Sequence, residues 1–169
     1  LLGEFDLGFQ LPIGHSSIWT RNYAGVSSGS SDNPLTNAYF GGFGNNYVDH
    51  GDPKRYRDIF SMPGYEIDAL GGKVFFKSLL EWDLPPLRFE HLGTPGFYVS
   101  WARPAIFATA LLLDPQESRY RSDAYDAGVQ VDFQLQVMQG LPMMLSFGYA
   151  AGFGDDRDKG EFMVSLKIL

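Results

Sequence analysis

Cysteine is absent from the 169-residue chain, so disulfide frameworks, thiolate metal sites and cysteine nucleophiles are all excluded. No apolar run reaches 18 residues, which excludes a helical membrane span. Basic residues are scarce, Lys+Arg 13 against Asp+Glu 20 for a net charge of −7, and that balance argues against nucleic-acid binding. Only 3 histidines occur, none paired at metal-ligand spacing. No stretch carries a convincing amphipathic-helix pattern. A signal-peptide pattern is missing too: the chain opens at Leu1-Leu2 inside a strand-like alternation, with no basic n-region and no small-residue cleavage site. Such an opening is expected of a piece of a longer polypeptide or of a processed product.

What the chain does have is period-2 alternation. Over 123–138, Tyr125, Ala127, Val129, Val131, Phe133, Leu135 and Val137 share one face, while Asp126, Gly128, Gln130, Asp132, Gln134 and Gln136 share the other. This predicts a strand with one greasy and one wet face. At about 3.3 Å per residue, it is long enough to cross a bilayer core even when tilted. Strands of this kind escape hydropathy windows because each carries only half the apolar load. Aromatics at 15% and 20 glycines suit interfacial girdles and tight turns, although soluble all-β domains share that bias.

Six further segments alternate in the same way: 1–13, 18–27, 69–84, 96–113, 142–153 and 161–169. In the first, Phe5, Leu7 and Phe9 oppose Glu4, Asp6 and Gly8; in the third, Phe76, Leu80 and Trp82 oppose Lys73, Lys77, Glu81 and Asp83. Pro85-Pro86 is expected to stop the third strand, since neither residue donates to a ladder. The stretch 28–68 is rich in Gly, Asn, Asp and Pro and predicts a long loop; Tyr39 to Val48 is its one candidate strand. Connections alternate short and long. Placing 14–17, 85–95 and 139–142 in the periplasm puts 28–68, 114–122 and 154–160 outside, as in outer-membrane barrels. Straight alternation from Phe97 would aim Arg103 at lipid, so a face-switching bulge is expected at Pro104, carrying Arg103 toward lumen carboxylates such as Glu81.

The predicted fold is therefore all-β: an antiparallel transmembrane β-barrel with about seven strands present. Seven strands cannot close an antiparallel barrel, and open edges are not tolerated in lipid. The missing strands are expected from the same parent protein or from another chain.

Two strands, a long loop and five more strands form an order that resembles the C-terminal part of BamA-like surface-antigen barrels. The residues carrying the likeness are Gly64, Tyr65, Gly71, Gly72, Glu81 and Leu84, with Glu66 following Tyr65. In that family an Arg-Gly-aromatic motif in a long outer loop precedes a Gly-Gly and a strand with a central Glu and a Leu-Pro end. This chain departs from the pattern at Pro63, where the family has its Arg; Arg57 or Arg55 is the candidate substitute. It also ends on Leu169, where the family commonly has an aromatic. More distantly, the segment is similar to barrels that end large secreted proteins.

The resemblance implies part of a sixteen-stranded barrel in the outer membrane of Gram-negative bacteria. All of 1–169 would lie in one barrel domain, with the 28–68 loop folded into the lumen and a charge network at Glu81 and Arg103. It implies an anchor or porin-like channel rather than an enzyme, with no cofactor and no metal. Its partners would be the lipid bilayer, the remaining strands and other envelope proteins. Insertion or secretion activity does not carry over, because it belongs to strands and domains lying elsewhere.

Gly14-His15-Ser16-Ser17 lacks the closing Gly and following helix of a nucleophile elbow. The carboxylates from Asp155 to Glu161 depart from Ca²⁺-loop spacing and are interleaved with cations. Asp49-His50-Gly51-Asp52 offers too few metal ligands. Trp19, Tyr23, Trp82, Trp101 and Tyr149 are expected at membrane interfaces, with sugar stacking the alternative. The competing reading of the whole is a soluble all-β domain binding carbohydrate or protein; a third is a small self-contained barrel acting as a pore or adhesin.

Overall fold

Alternation sorts the chain into strands whose two faces differ in chemistry. The computed structural model describes residues 1–28, 34–43, 53–138, 140–154 and 160–169. Its strands are β1 (Leu2–Gln10), β2 (Ser17–Val26), β3 (Ala38–Phe40), β4 (Leu70–Gly72), β5 (Val74–Asp83), β6 (Leu87–Thr94), β7 (Phe97–Leu113), β8 (Ser122–Val137), β9 (Leu141–Phe153) and β10 (Gly160–Ile168). Two short 3-10 turns, Pro34–Thr36 and Arg55–Arg57, are the only helical elements among the described residues. The fold is all-β, with every strand pair antiparallel.

One large sheet follows the path β1-β2-β5-β7-β8-β9-β10, with β6 also paired to β7, while β3 and β4 form a separate two-stranded ribbon. β1 and β10 end the path and do not pair with each other. β3 overlaps the candidate strand Tyr39 to Val48 only at Tyr39 and Phe40, residues 44–48 lying outside the described residues, and the ribbon divides the expected 69–84 strand at Lys73. The cause is Asp114: its carboxylate accepts from the backbone N–H of Lys73 at 3.0 Å and of Val74 at 2.8 Å.

β5 ends at Asp83, just before Pro85-Pro86 as expected, but a further strand follows at once, so 85–95 is not a connection. Asp83 pairs with Ala105, Leu84 N–H donates to the Pro104 carbonyl at 3.0 Å, and Leu87 pairs with Ala102. Pro85 and Pro86 therefore sit together opposite Arg103, a bulge in which neither needs an N–H. β5 and β6 make one continuous rank beside β7, and the connection expected at 85–95 shrinks to a turn at Pro95-Gly96, since Thr94 already faces Phe97.

The face switch in β7 exists but lies earlier than expected. The register slips between Val99 and Trp101, at Ser100 rather than Pro104. Arg103 consequently stands opposite Asp132.

The sheet's two faces are unlike. One, here called inner, is covered by residues 38–43 and 53–72. Between those residues and the sheet lie two apolar clusters, one around Phe40, Met62, Tyr65, Phe75 and Leu111, the other around Tyr56, Leu79, Phe107, Ala150 and Met163. The face expected to be wet is therefore dry: Asp126, Gln130 and Asp132 are buried, because the covering segment lies over them. The outer face carries Phe5, Leu80, Ile106, Val129, Phe147, Tyr149, Leu166 and Ile168, all exposed.

Candidate functional site

The site is where the covering segment is tied to the inner face. Glu81 reaches it because β5 alternates, putting Phe75, Lys77, Leu79, Glu81 and Asp83 on one side. The 3-10 turn Arg55–Arg57 delivers the cations. Lys54 Nζ donates to Glu81 Oε1 at 2.9 Å and also pairs with Asp83. Arg57 grips Glu81 with two nitrogens and reaches Asp83 at 3.5 Å. Arg21 on β2 lies 3.7 Å from Glu81 and pairs with Asp6 on β1. Glu81 is fully buried, a state that a carboxylate holds only when paired and hydrogen-bonded. Burial pulls the Lys54 ammonium below the ordinary lysine value, and the Glu81 carboxylate pushes it back up.

Lys77 makes a second tie. Fully buried, its ammonium donates to the carbonyls of Asp58 at 2.8 Å, Ile59 at 3.1 Å and Ser61 at 2.5 Å. The turn thus wraps its carbonyls around a strand cation. Tyr56 stacks on Phe107, centroids 4.1 Å apart and planes at 10°, while Tyr23 donates to the Arg57 carbonyl at 3.2 Å. Farther across the sheet, Gln130 donates to the Pro53 carbonyl at 3.1 Å, and Arg55 to Ser165 on β10 at 3.2 Å. Ties therefore run from β2 to β10.

The motif residues divide between places: Gly64 and Tyr65 dock on β9 and β10, Gly71 and Gly72 lie in β4, and Arg57 sits on Glu81. Pro63 is buried. Gly64 has φ +90°, and a Cβ there would meet the Gly152 nitrogen of β9 at 2.3 Å. The Tyr65 hydroxyl donates to the Phe153 carbonyl at 2.7 Å, with the Tyr125 carbonyl at 3.2 Å. Glu161 on β10 accepts from Gly64 N–H at 3.4 Å. Glu66 is exposed, its carbonyl accepting from Ala69 N–H at 3.1 Å. Gly71 and Gly72 belong to β4, paired with Tyr39 and Ala38.

Of the two residues placed in a charge network, Glu81 is its centre. Arg103 stands instead at an exposed position, its guanidinium 5.5 Å from the Trp101 ring centroid. The network's cations are Lys54, Arg57 and Arg21. Lys77, Lys54 and Asp83 were not singled out from sequence; the inward row of charges on 73–83 was the available signal. Of the five aromatics expected at interfaces, Trp82 and Tyr149 are exposed on the outer face. Trp19, Tyr23 and Trp101 lie in inner rows, opposite Glu81, Lys77 and Gln134.

Ser16 is committed to its turn, its hydroxyl donating to the Ile13 carbonyl at 2.8 Å. Asp49-His50-Gly51-Asp52 and residues 155–159 lie outside the described residues. Among those described, no group of three His, Cys, Asp or Glu could hold a metal ion. The arrangement clamps a loop to a sheet through buried charge. Comparison with protein-family models, curated proteins and solved structures finds no match.

Proposed function

We propose that this chain is the membrane-embedded part of a bacterial outer-membrane β-barrel, an anchor or channel with the 28–68 loop folded into its lumen. One observation carries the reading: the sheet is inverted relative to a water-soluble one. Lys77 and Glu81 are fully buried, whereas Phe162, Leu166 and Ile168 are 65%, 58% and 62% exposed. The outward rows from Phe5 to Phe9, Ile18 to Val26, Val74 to Trp82, Tyr125 to Val137, Met143 to Phe153 and Phe162 to Ile168 contain no charged residue. An apolar surface this wide marks an interaction face, and hydrocarbon is the partner that fits a face spanning every strand of the sheet. The strands, 9 to 17 residues long on the path, meet the roughly 9–11 residues that a tilted membrane strand needs.

The motif at Gly64-Tyr65, with Gly71-Gly72 and Glu81, supports kinship with the BamA-like surface-antigen barrels. The tied-down loop favours a plugged anchor over an open pore. The lipid bilayer and further barrel strands are the partners this function requires.

The test is fractionation. Expressed in a Gram-negative host with its native surroundings, the protein should stay in the outer-membrane fraction after alkaline carbonate and need detergent for extraction. A protein that remains monodisperse in buffer without detergent contradicts the proposal and returns the chain to a soluble all-β binding domain.

A further inference from the structure

The outward row of β8 is uncharged from Tyr125 to Val137 and then changes character at the end nearest the 114–122 connection, where Asp123 and Arg121 continue it. Three strands stand in register there. Phe76 on β5 lies beside Leu112 on β7, which lies beside Asp123, and Ala110 lies beside Tyr125. Ala110 has the smallest side chain of the set, so it forms a floor between the larger side chains of the flanking strands. The result is a groove of about 240 Å³ lined by Phe76, Ala110, Leu112 and Tyr125 together with Arg121 and Asp123.

Both charged residues are exposed, and neither side chain has a hydrogen-bond or ion-pair partner among the described residues, the other of the two included. Two positions apart along the chain, their roots are separated by about 7 Å. The backbone at Arg121 is held, its N–H donating to the Glu117 carbonyl at 2.9 Å. The pair is therefore a fixed cation and a fixed anion, side by side at the mouth of an apolar groove.

What such a groove takes follows from the membrane reading above, on which this inference rests. A tyrosine at the end of an apolar row sits where hydrocarbon meets headgroups, so Tyr125 sets the depth of the groove. An unpaired arginine at that depth attracts phosphate, which a guanidinium meets with two parallel donors. A purely anionic headgroup would also meet Asp123, a like charge in the same row. A quaternary ammonium would balance Asp123 without donating a hydrogen bond to it, whereas a primary ammonium donates three.

We propose that this groove is a binding site for a lipid whose headgroup is phosphoethanolamine. The phosphate lies on Arg121 and the ammonium on Asp123. The first carbons of one acyl chain lie over Ala110, between Phe76 and Tyr125.

The experiment reconstitutes the intact protein into vesicles holding phosphatidylethanolamine, phosphatidylglycerol and phosphatidylcholine in equal parts. Mild detergent then releases it, and native mass spectrometry counts the lipids it keeps. The unaltered protein should keep phosphatidylethanolamine over the other two. Arg121→Ala should lower that retention about fivefold, the weight of one basic residue at a membrane surface. Asp123→Asn should let phosphatidylglycerol compete on equal terms. Soluble phosphoethanolamine, which has no acyl chain to fill the groove, should displace nothing. Equal retention of the three lipids, a preference for phosphatidylglycerol, indifference to Arg121→Ala, or displacement by the soluble headgroup would each overturn the proposal. Both substitutions fall on exposed, unpaired side chains, so the fold does not depend on them. Failure of the membrane reading shows earlier and differently: alkaline carbonate would wash the protein off the vesicles, and both proposals would fall together. An inserted protein without the lipid preference removes this one alone.

Discussion

The Arg57 guanidinium holds the Glu81 carboxylate at two points, Nε to Oε2 at 2.9 Å and Nη2 to Oε1 at 2.6 Å. This two-pronged geometry is available to arginine and not to lysine. It fixes the orientation of the 3-10 turn as well as its position, and it places Tyr56 flat against Phe107. Lys54, approaching from the same turn, shares the carboxylate. Removing the carboxylate is therefore worse than removing one cation.

Glu81→Ala should destabilise the fold by about 3–5 kcal/mol, because it strands buried positive charge. Arg57→Ala should cost less, since Lys54 still neutralises Glu81. Urea unfolding in detergent, followed by tryptophan fluorescence, ranks the two. Equal losses would mean that Glu81 does not hold the network together.

Lys77→Met keeps most of the length and apolar stem but removes the ammonium donor from the Asp58, Ile59 and Ser61 carbonyls, of which only Asp58's keeps other donors, the Ser61 N–H and hydroxyl. Each carbonyl left buried and unsatisfied costs about 1–3 kcal/mol. The loss should fall on the loop rather than on the ladder, so the turn from Pro53 to Ile67 should become a protease target while the strands stay protected. Mass spectrometry of the first cleavage products reads this directly. First cuts elsewhere would show that Lys77 supports the sheet instead.

How much of this was legible follows from which forces act locally. The faces of β8, β9 and β10 were readable because every side chain in a ladder is assigned by parity alone. Parity also marked Lys77, Glu81 and Asp83 as one inward row. It could not tell that the row would be dry, since that depends on a covering segment without any period of its own. Pro85-Pro86 correctly marked the end of β5 at Asp83, but they did not reveal that a new strand starts at Leu87 beside the same neighbour, β7. The irregularity between Arg88 and Leu92 then hid the alternation of β6. The need for a face switch near Arg103 was visible in the sequence, but its location was not; nothing in the local pattern distinguishes Ser100 from Pro104 as the residue to leave unpaired.

Gly64 and Gly152 let loop backbone lie against sheet backbone with no room for a Cβ on either. Gly64→Ala places a Cβ where the Gly152 backbone stands and forces φ +90° on a residue that disfavours it; the strained backbone alone costs about 1–3 kcal/mol. Gly152→Ala would meet the Tyr65 ring at 2.7 Å and the Gly64 carbonyl at 2.8 Å. Both should lower the unfolding midpoint, whereas Gly96→Ala, with nothing within 4 Å, should leave it unchanged. If Gly64→Ala unfolds no earlier than Gly96→Ala, the loop does not dock on β9 as described.

Val129 stands at the middle of β8 on the outer face, between Ile106 and Tyr149 in register, and is 48% exposed. Phe153 faces the same way at the end of β9. On a water-facing sheet, an arginine at either position would change stability by no more than about 0.5 kcal/mol. In a bilayer the two positions diverge: about 2–4 kcal/mol for Val129→Arg near the midplane, against about 0–1 kcal/mol for Phe153→Arg near the interface. Unfolding free energies measured in lipid vesicles give the comparison. A penalty that grows toward the strand centre has hydrocarbon as its cause, because water is equally polar at both positions. Equal, small effects would leave the outer face without its proposed solvent.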